Sequence, residues 1–416
     1  MKSKSFMLIA GETSGDMLAA ELVKALKVGQ ASCLPSELGR QDARPTFFGA
    51  GGPKMAEAGV DLAIDMTAHS VIGLIEALKS YSHFKKIFNE LLQLAAKRRP
   101  DTIVCVDFSG FNRRFARAIR EYIRKNQSSA GDWHPKIVQF VSPQIWASRS
   151  SRAEKMARDI DLLLCIFPFE KEWYAKRVPN LRVEFIGHPI VDRHAVGTRS
   201  TASQISSPSP VEKVGDTVER VPTILLLPGS RMGELKRHLP VMLEAAKQIS
   251  AEHPAHFKMI LPDEKLKTLA EQSSALLPNL DIQIGGLAES LSHATLAFAS
   301  TGTVTMECAY FGVPTIAIYK TSWSTYQIGR RIIQVKYLAM PNLLANDSIY
   351  PELIQQDATP EKIAMAANDL LENPLRRAEI KQKLAGVIAS LGEVGASKRA
   401  AKAILELETR SPEVRG

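Results

Sequence analysis

Six short polar segments could carry chemistry, and each follows an apolar run of strand length. In Val104-Cys105-Val106-Asp107-Phe108-Ser109-Gly110-Phe111-Asn112 the apolar run ends on a carboxylate. Partial burial there would raise the Asp107 pKa toward that of a useful general base. An Asp that merely caps the next helix is the alternative. In Gly11-Glu12-Thr13-Ser14-Gly15-Asp16 two glycines permit a tight strand-to-helix turn. No Gly-Lys-Ser/Thr follows and the spacing is not G-x-G-x-x-G, so neither nucleotide fingerprint applies. An acidic residue is unhelpful in a phosphate cradle. Glu12 therefore points to sugar hydroxyls, with a plain capped turn as the alternative.

Two later segments suit an anion. Leu227-Pro228-Gly229-Ser230-Arg231-Met232-Gly233-Glu234 runs from a strand through a turn into a long helix. Backbone N–H groups of Gly229 and Ser230 at such a helix start attract phosphate, and Arg231 adds a fixed, forked positive charge. Ala299-Ser300-Thr301-Gly302-Thr303-Val304-Thr305-Met306-Glu307 repeats the arrangement. Gly302 and Thr303 offer N–H groups, and Glu307, one turn inside the helix, could accept from two ribose hydroxyls. Val141-Ser142-Pro143-Gln144-Ile145-Trp146-Ala147 is a polar turn carrying a Trp. Ile186-Gly187-His188-Pro189 presents a lone His, which fits a hinge as well as a site.

The elements that must position these turns alternate in type. Strand candidates are Phe6–Ala10, Phe47–Ala50, Thr102–Asp107, Lys136–Val141, Leu162–Phe167 and Val183–Ile186, with helical stretches such as Gly15–Lys27, Tyr81–Lys97 and Arg113–Lys125 between them. A Ser/Thr/Pro-rich break follows, and the same grammar restarts with Thr223–Leu227, Phe257–Leu261, Asp281–Ile284, Leu296–Ala299 and Pro314–Tyr319. Strands that are apolar throughout, separated by helices, indicate parallel sheets covered on both faces. The expected fold is therefore α/β, two Rossmann-like doubly wound domains with a ligand cleft at the carboxyl ends of their strands. Expected bounds are 1–194 for the first domain, 195–222 for a mobile Ser/Pro-rich linker or loop, 223–375 for the second domain and 376–416 for a helical tail. The tail is expected to pack either back on the first domain or on a second subunit of a homodimer.

Size and composition agree. A chain of 416 residues, 45% apolar and 23% charged, suits two or three globular domains. No apolar run approaches the roughly 20 residues that cross a bilayer, and Phe6–Ala10 ends at Gly11-Glu12 rather than at a cleavage site, so the expected location is cytoplasmic. Cys33, Cys105, Cys165 and Cys308 form no CxxC pair and read as buried residues, neither disulfides nor metal ligands. No metal cluster and no cofactor is indicated. The formal charge is +9, and residues 79–125 carry twelve Lys or Arg against four acids. Such a face attracts anionic lipid, nucleic acid or phosphorylated substrates. Beside it, Val71-Ile72-Gly73-Leu74-Ile75-Glu76-Ala77-Leu78, with Tyr81 and Phe84, suits either a membrane-docking patch or ordinary core.

Taken in order, the segments AGETSGD, FGAGGPKM, VDFSGFN, VSPQIWA, FPFEKEWY, IGHP, LLPGSR, TGTVTMEC and MPNLLA resemble the lipid-A-disaccharide synthase family, inverting glycosyltransferases of the GT-B fold. The resemblance spans nearly the whole chain. It implies transfer of 2,3-diacylglucosamine from its UDP donor to 2,3-diacylglucosamine 1-phosphate, giving a β-1,6 disaccharide and UDP. It implies Asp107 as the base and Glu12 as a second acidic residue important for activity. Arg231 would lie near the donor diphosphate, Glu307 on the uridine ribose, and Asn342, in a segment linked to activity, would be counted with them among the UDP-sugar-binding residues. Acylated substrates imply a peripheral protein on the inner face of the cytoplasmic membrane, beside anionic lipid. Many members carry a second Asp where this chain has Gly110, so no role for that carboxylate carries over.

Three other readings are testable. A UDP-sugar 2-epimerase or hydrolase on the same fold would turn over a plain UDP-sugar without acceptor. A peptidoglycan-type transferase fits the architecture but not the GETSGD and PGSR segments. A nucleic-acid-binding protein fits the charge, but no zinc finger, RNA-recognition signature or aromatic-interleaved basic stretch occurs.

Overall fold

The computed structural model describes residues 4–32, 45–66, 77–127, 131–201, 221–274, 277 and 280–409. The chain divides into two units, Met1–Asp192 with Leu391–Gly416, and Arg193–Ser390.

Among the described residues, unit 1 holds seven parallel strands: β1 (Ser5–Ala10), β2 (Thr46–Gly51), β3 (Asp61–Asp65), β4 (Thr102–Val106), β5 (Lys136–Phe140), β6 (Leu162–Cys165) and β7 (Arg182–Phe185), in the order β3-β2-β1-β4-β5-β6-β7. Strand β4 is buried at every residue and β1 at all but its first, as expected for a sheet covered on both faces. Two apolar clusters supply the cover. In one, Met7, Ile9 and Cys105 meet Phe115 and Ile119 of helix Ser109–Lys125. In the other, Phe6, Leu8 and Val104 meet Leu22 and Leu26 of helix Thr13–Ser32. That second cluster takes in Ala400, Ile404 and Leu407 of helix Ala396–Thr409.

Unit 2 holds β8 (Thr223–Leu227), β9 (His256–Leu261), β10 (Leu280–Ile284), β11 (Leu296–Ser300), β12 (Thr315–Tyr319) and β13 (Glu352–Ile354), in the order β10-β9-β8-β11-β12-β13, again all parallel. Each unit therefore has one topological switch point, between β1 and β4 and between β8 and β11. Open α/β sheets bind ligands at the carboxyl ends of the strands there.

Some bounds differ from the sequence reading. Strands β3 and β13 went unread because they are short sheet edges without an apolar run, carrying Asp61, Asp65 and Glu352. Of the expected tail, helix Pro374–Ser390 packs within unit 2 through Ile380, Leu384 and Val387. Helix Pro189–Thr201 runs into the start of the expected linker, and residues 202–220 of that linker lie outside the described residues. So do residues 71–76 of the candidate membrane patch; Phe84, at its far end, packs against the unit 1 core. Among the described residues no helix is long and apolar enough to cross a membrane.

Candidate active site

In unit 1 the switch point brings Glu12 and Asp107 together, Glu12 just past β1 and Asp107 just past β4. Burial raises the Asp107 pKa above its ordinary value, repulsion from the Glu12 carboxylate raises it further, and the Phe108 N–H opposes both. A carboxylate whose pKa is raised in this way is a stronger base than a free one.

The turn that aims it is strained. Asp107 and Phe108 sit at φ 47° and 42°, and Val141 at the end of the adjoining strand sits at φ 70°, a region costly for side chains other than glycine's. Two amides hold it there. The buried Asn112 donates through Nδ2 to the carbonyls of Ile9 (3.3 Å), Val106 (3.2 Å) and Asp107 (3.0 Å). The buried Gln139 donates to the carbonyls of Asp107 (3.2 Å) and Val141 (3.1 Å). The Asp107 N–H donates to the Phe140 carbonyl at 2.8 Å. The Phe108 ring covers Gly11 so closely that a Cβ there would lie 2.3 Å from it. The glycine is required because two site segments touch at that point.

The other unit 1 motifs turn out to be supports. Asp16 is buried, and its carboxylate accepts from the N–H groups of Gly52 (2.8 Å), Met55 (3.0 Å) and Lys54 (3.0 Å), joining the GETSGD and FGAGGPKM segments. Glu170 accepts from Trp146 Nε1 at 3.0 Å and from the Phe167 N–H at 3.1 Å, joining VSPQIWA to FPFEKEWY. Burial pushes the Glu170 pKa up to about 7. His188 accepts the Ile190 N–H on Nδ1 at 3.1 Å, and its ring lies 5.3 Å from that of Phe167, so it serves the start of helix Pro189–Thr201.

In unit 2 the turns Gly229–Arg231 and Gly302–Thr303 follow β8 and β11, which are paired neighbours. Helices Met232–Glu252 and Thr303–Tyr310 start there, so the free N–H groups of both lie past the carboxyl ends of the two central strands. Glu234 already engages the first turn. It accepts the Ser230 N–H at 3.1 Å and lies 3.4 Å from an Arg231 nitrogen. Gly229, at φ 121°, leaves room for that carboxylate, which a Cβ would meet at 2.4 Å. The buried His238 ties the turn to the end of β12, with Nδ1 2.8 Å from the Pro228 carbonyl and Nε2 accepting the Lys320 N–H at 3.0 Å. Its pKa is lowered by burial, which favours the neutral ring with its proton on Nδ1.

Glu307 projects from the second helix, with Oε2 2.6 Å from His194 Nε2. The His194 ring is packed by Tyr310 at 4.8 Å and Phe311 at 4.9 Å. Asn342 is placed differently from the sequence reading. It is fully buried, and its amide is bound to both backbone groups of Tyr350 (2.8 Å each) and to Glu352 (2.9 Å). It shapes the MPNLLA turn and is not exposed to a donor. The sequence reading also missed Asn112, Gln139, His238 and His194 as supports; only Asn112 lay inside a motif that pointed to it.

Two parallel α/β units, each with its polar turns at a switch point, define the GT-B architecture of nucleotide-sugar enzymes. Solved structures share this fold. A UDP-N-acetylglucosamine 2-epimerase from Neisseria meningitidis bound to UDP-GlcNAc superposes with a TM-score of 0.59 at 10% identity, covering 98% of this chain and 100% of that one. MurG from Acinetobacter baumannii gives a TM-score of 0.51 at 14% identity, covering 97% and 99%. The sequence goes further than the fold. The family model described as Lipid-A-disaccharide synthetase matches residues 6–407. The lipid-A-disaccharide synthase of Myxococcus xanthus is 34% identical over 96% of this chain and 97% of its own. That of Persephonella marina is 35% identical over 97% and 99%. The chain belongs to the lipid-A-disaccharide synthetase family, and it is a glycosyltransferase.

Proposed function

We propose that unit 2 binds a UDP-sugar and unit 1 activates a sugar-phosphate acceptor, so that the protein joins two acylated glucosamines into the lipid A disaccharide 1-phosphate. The acceptor's 6-hydroxyl oxygen attacks the donor's anomeric carbon from the face opposite UDP. The C–O bond to the diphosphate breaks, the hydroxyl proton passes to Asp107, and the configuration inverts. The observation that carries this reading is the pairing of Asp107 with Glu12 past the ends of neighbouring strands at the switch point of unit 1, where burial holds the Asp107 carboxyl above its ordinary pKa. A positioned base contributes roughly 10²–10⁴ in rate. Arg231 and the two helix starts at Gly229–Arg231 and Gly302–Thr303 stabilise the departing diphosphate without a metal, and Glu307 accepts from the uridine ribose. Asn342 acts by holding its turn. The acyl chains place the protein on the cytoplasmic face of a membrane, held by anionic lipid.

The test is UDP release from UDP-2,3-diacylglucosamine, with and without 2,3-diacylglucosamine 1-phosphate, for wild type and Asp107→Ala. Release that requires the acceptor and collapses in the variant supports both transferase and base. Acceptor-independent release indicates a hydrolase or epimerase instead. Full activity in the variant moves the base to Glu12.

A further inference from the structure

We propose that Arg113, Arg114, Arg149 and Arg152 form the site that holds the acceptor's phosphate, next to the base that activates its hydroxyl; this rests on the transferase reading above. Arg113 and Arg114 lie early in helix Ser109–Lys125, which begins two residues after Asp107. Arg149 follows the turn Ile145–Ala147, and Arg152 opens helix Arg152–Asp159. The two helices pack through one core, Phe115, Ala116 and Ile119 of the first with Ala153 and Met156 of the second. That packing brings together the early turns of the two helices, and Arg149 just before the second comes within repulsion range of Arg152 with Arg113 and Arg114. The Arg152 pKa is lowered by partial burial and then by repulsion from Arg113, Arg149 and Arg114.

Two arginines further along helix Ser109–Lys125 give the contrast. Arg117 is paired with Glu121 at 2.7 Å, and Arg120 with Asp161 at 2.6 Å. Arg120 also donates to the carbonyls of Asp159 and Pro135. Among the described residues none of Arg113, Arg114, Arg149 and Arg152 makes a salt bridge. Arg117 and Arg120 are neutralised, whereas Arg113, Arg114 and Arg149 repel Arg152. A dianionic phosphate relieves that repulsion, and guanidinium forks match its oxygens in pairs.

The placement suits a hexose 1-phosphate. The segments that bear the arginines follow neighbouring strands β4 and β5, and Asp107 is hydrogen-bonded to the second of them through the Phe140 carbonyl. Arg113 and Arg114 stand about 6–8 Å along the axis from the helix start, at 1.5 Å per residue. A sugar whose nucleophilic hydroxyl is on carbon 6 and whose phosphate is on carbon 1 spans a comparable distance across one ring.

The experiment compares two acceptors, diacylglucosamine 1-phosphate and the same diacylated sugar without its phosphate, for wild type, Arg114→Gln and the double variant Arg149→Gln/Arg152→Gln. Arg114 is exposed, so its replacement leaves the fold intact if the double variant fails a melting control. The expected result is a rise in acceptor KM of about 10- to 100-fold per lost charge-assisted hydrogen bond with the phosphorylated acceptor. The unphosphorylated acceptor and the donor KM should be unaffected. Equal losses on both acceptors overturn the assignment. So does unchanged acceptor preference combined with weaker binding to phosphatidylglycerol vesicles, which would give the cluster to lipid headgroups. Acceptor-independent UDP release by wild type would sink the transferase reading, and this assignment with it.

Discussion

His194 Nε2 lies 2.6 Å from Glu307 Oε2, on a ring held by Tyr310 and Phe311. The carboxylate proposed for the ribose is therefore oriented by a side chain more than a hundred positions away in sequence. One oxygen is fixed, which leaves the other to accept from a hydroxyl. His194→Ala should raise the donor KM by about tenfold, the worth of one hydrogen bond to a charged group, with kcat nearly unchanged. His194→Gln should recover part of the loss. An unaltered donor KM in both variants would show that Glu307 needs no such support.

The Asp107 carboxyl is kept above its ordinary pKa by burial first and by Glu12 second. A base must be ionised, so kcat/KM should fall as pH drops through that raised pKa. Glu12→Gln removes the repulsion and should move this acid limb to lower pH while leaving substantial activity at neutral pH. Loss of activity at every pH in Glu12→Gln, with Asp107→Asn retaining it, would exchange the two roles.

Glu234 rests on the turn where a diphosphate would bind. Phosphate and carboxylate compete for the same N–H groups, and the resident anion repels the incoming one. Glu234→Gln should tighten UDP binding several-fold by calorimetry. It should also cost about 0.5–2 kcal/mol of stability as the helix start loses its charged partner. Weaker UDP binding would mean that the carboxylate orders the turn for the ligand instead.

Glu170 titrates near neutrality, raised by burial from 4.5 to about 7. The folded state favours its protonated form, so this contribution to stability is fully present below about 4.5 and is lost as pH rises through about 7. The loss is on the order of 3 kcal/mol for a group this buried. Urea midpoints for wild type should fall between about pH 5 and about pH 8, and Glu170→Gln should flatten that part of the profile. Parallel profiles for the two proteins would assign the fall to other groups.

Much of this was legible from residue order. Apolar runs such as Thr102–Val106 announced the strands, and the polar turn after each one lies at a strand's carboxyl end. The pairing of Glu12 with Asp107 follows from the neighbouring positions of β1 and β4. The supports were not legible, because hydrophobic periodicity says nothing about hydrogen bonds closed across long separations. Asn112 reaches Ile9, and His238 reaches Lys320. Left-handed backbone at Asp107, Phe108 and Val141 has no sequence marker either, since none is a glycine. Asn342 is a related case. A motif position linked to activity can act from within the core, as this one does through Tyr350 and Glu352.

Helix Ala396–Thr409 also fixes an order of events during synthesis. The apolar face of helix Thr13–Ser32 is covered in part by Ala400, Ile404 and Leu407, so unit 1 cannot close until a helix made after unit 2 has emerged. All of Arg193–Ser390 is made in between. At ~5–20 residues per second, those roughly 200 residues take about 10–40 s. Over that interval the nascent chain carries an open apolar surface, and chaperones have that long to meet it.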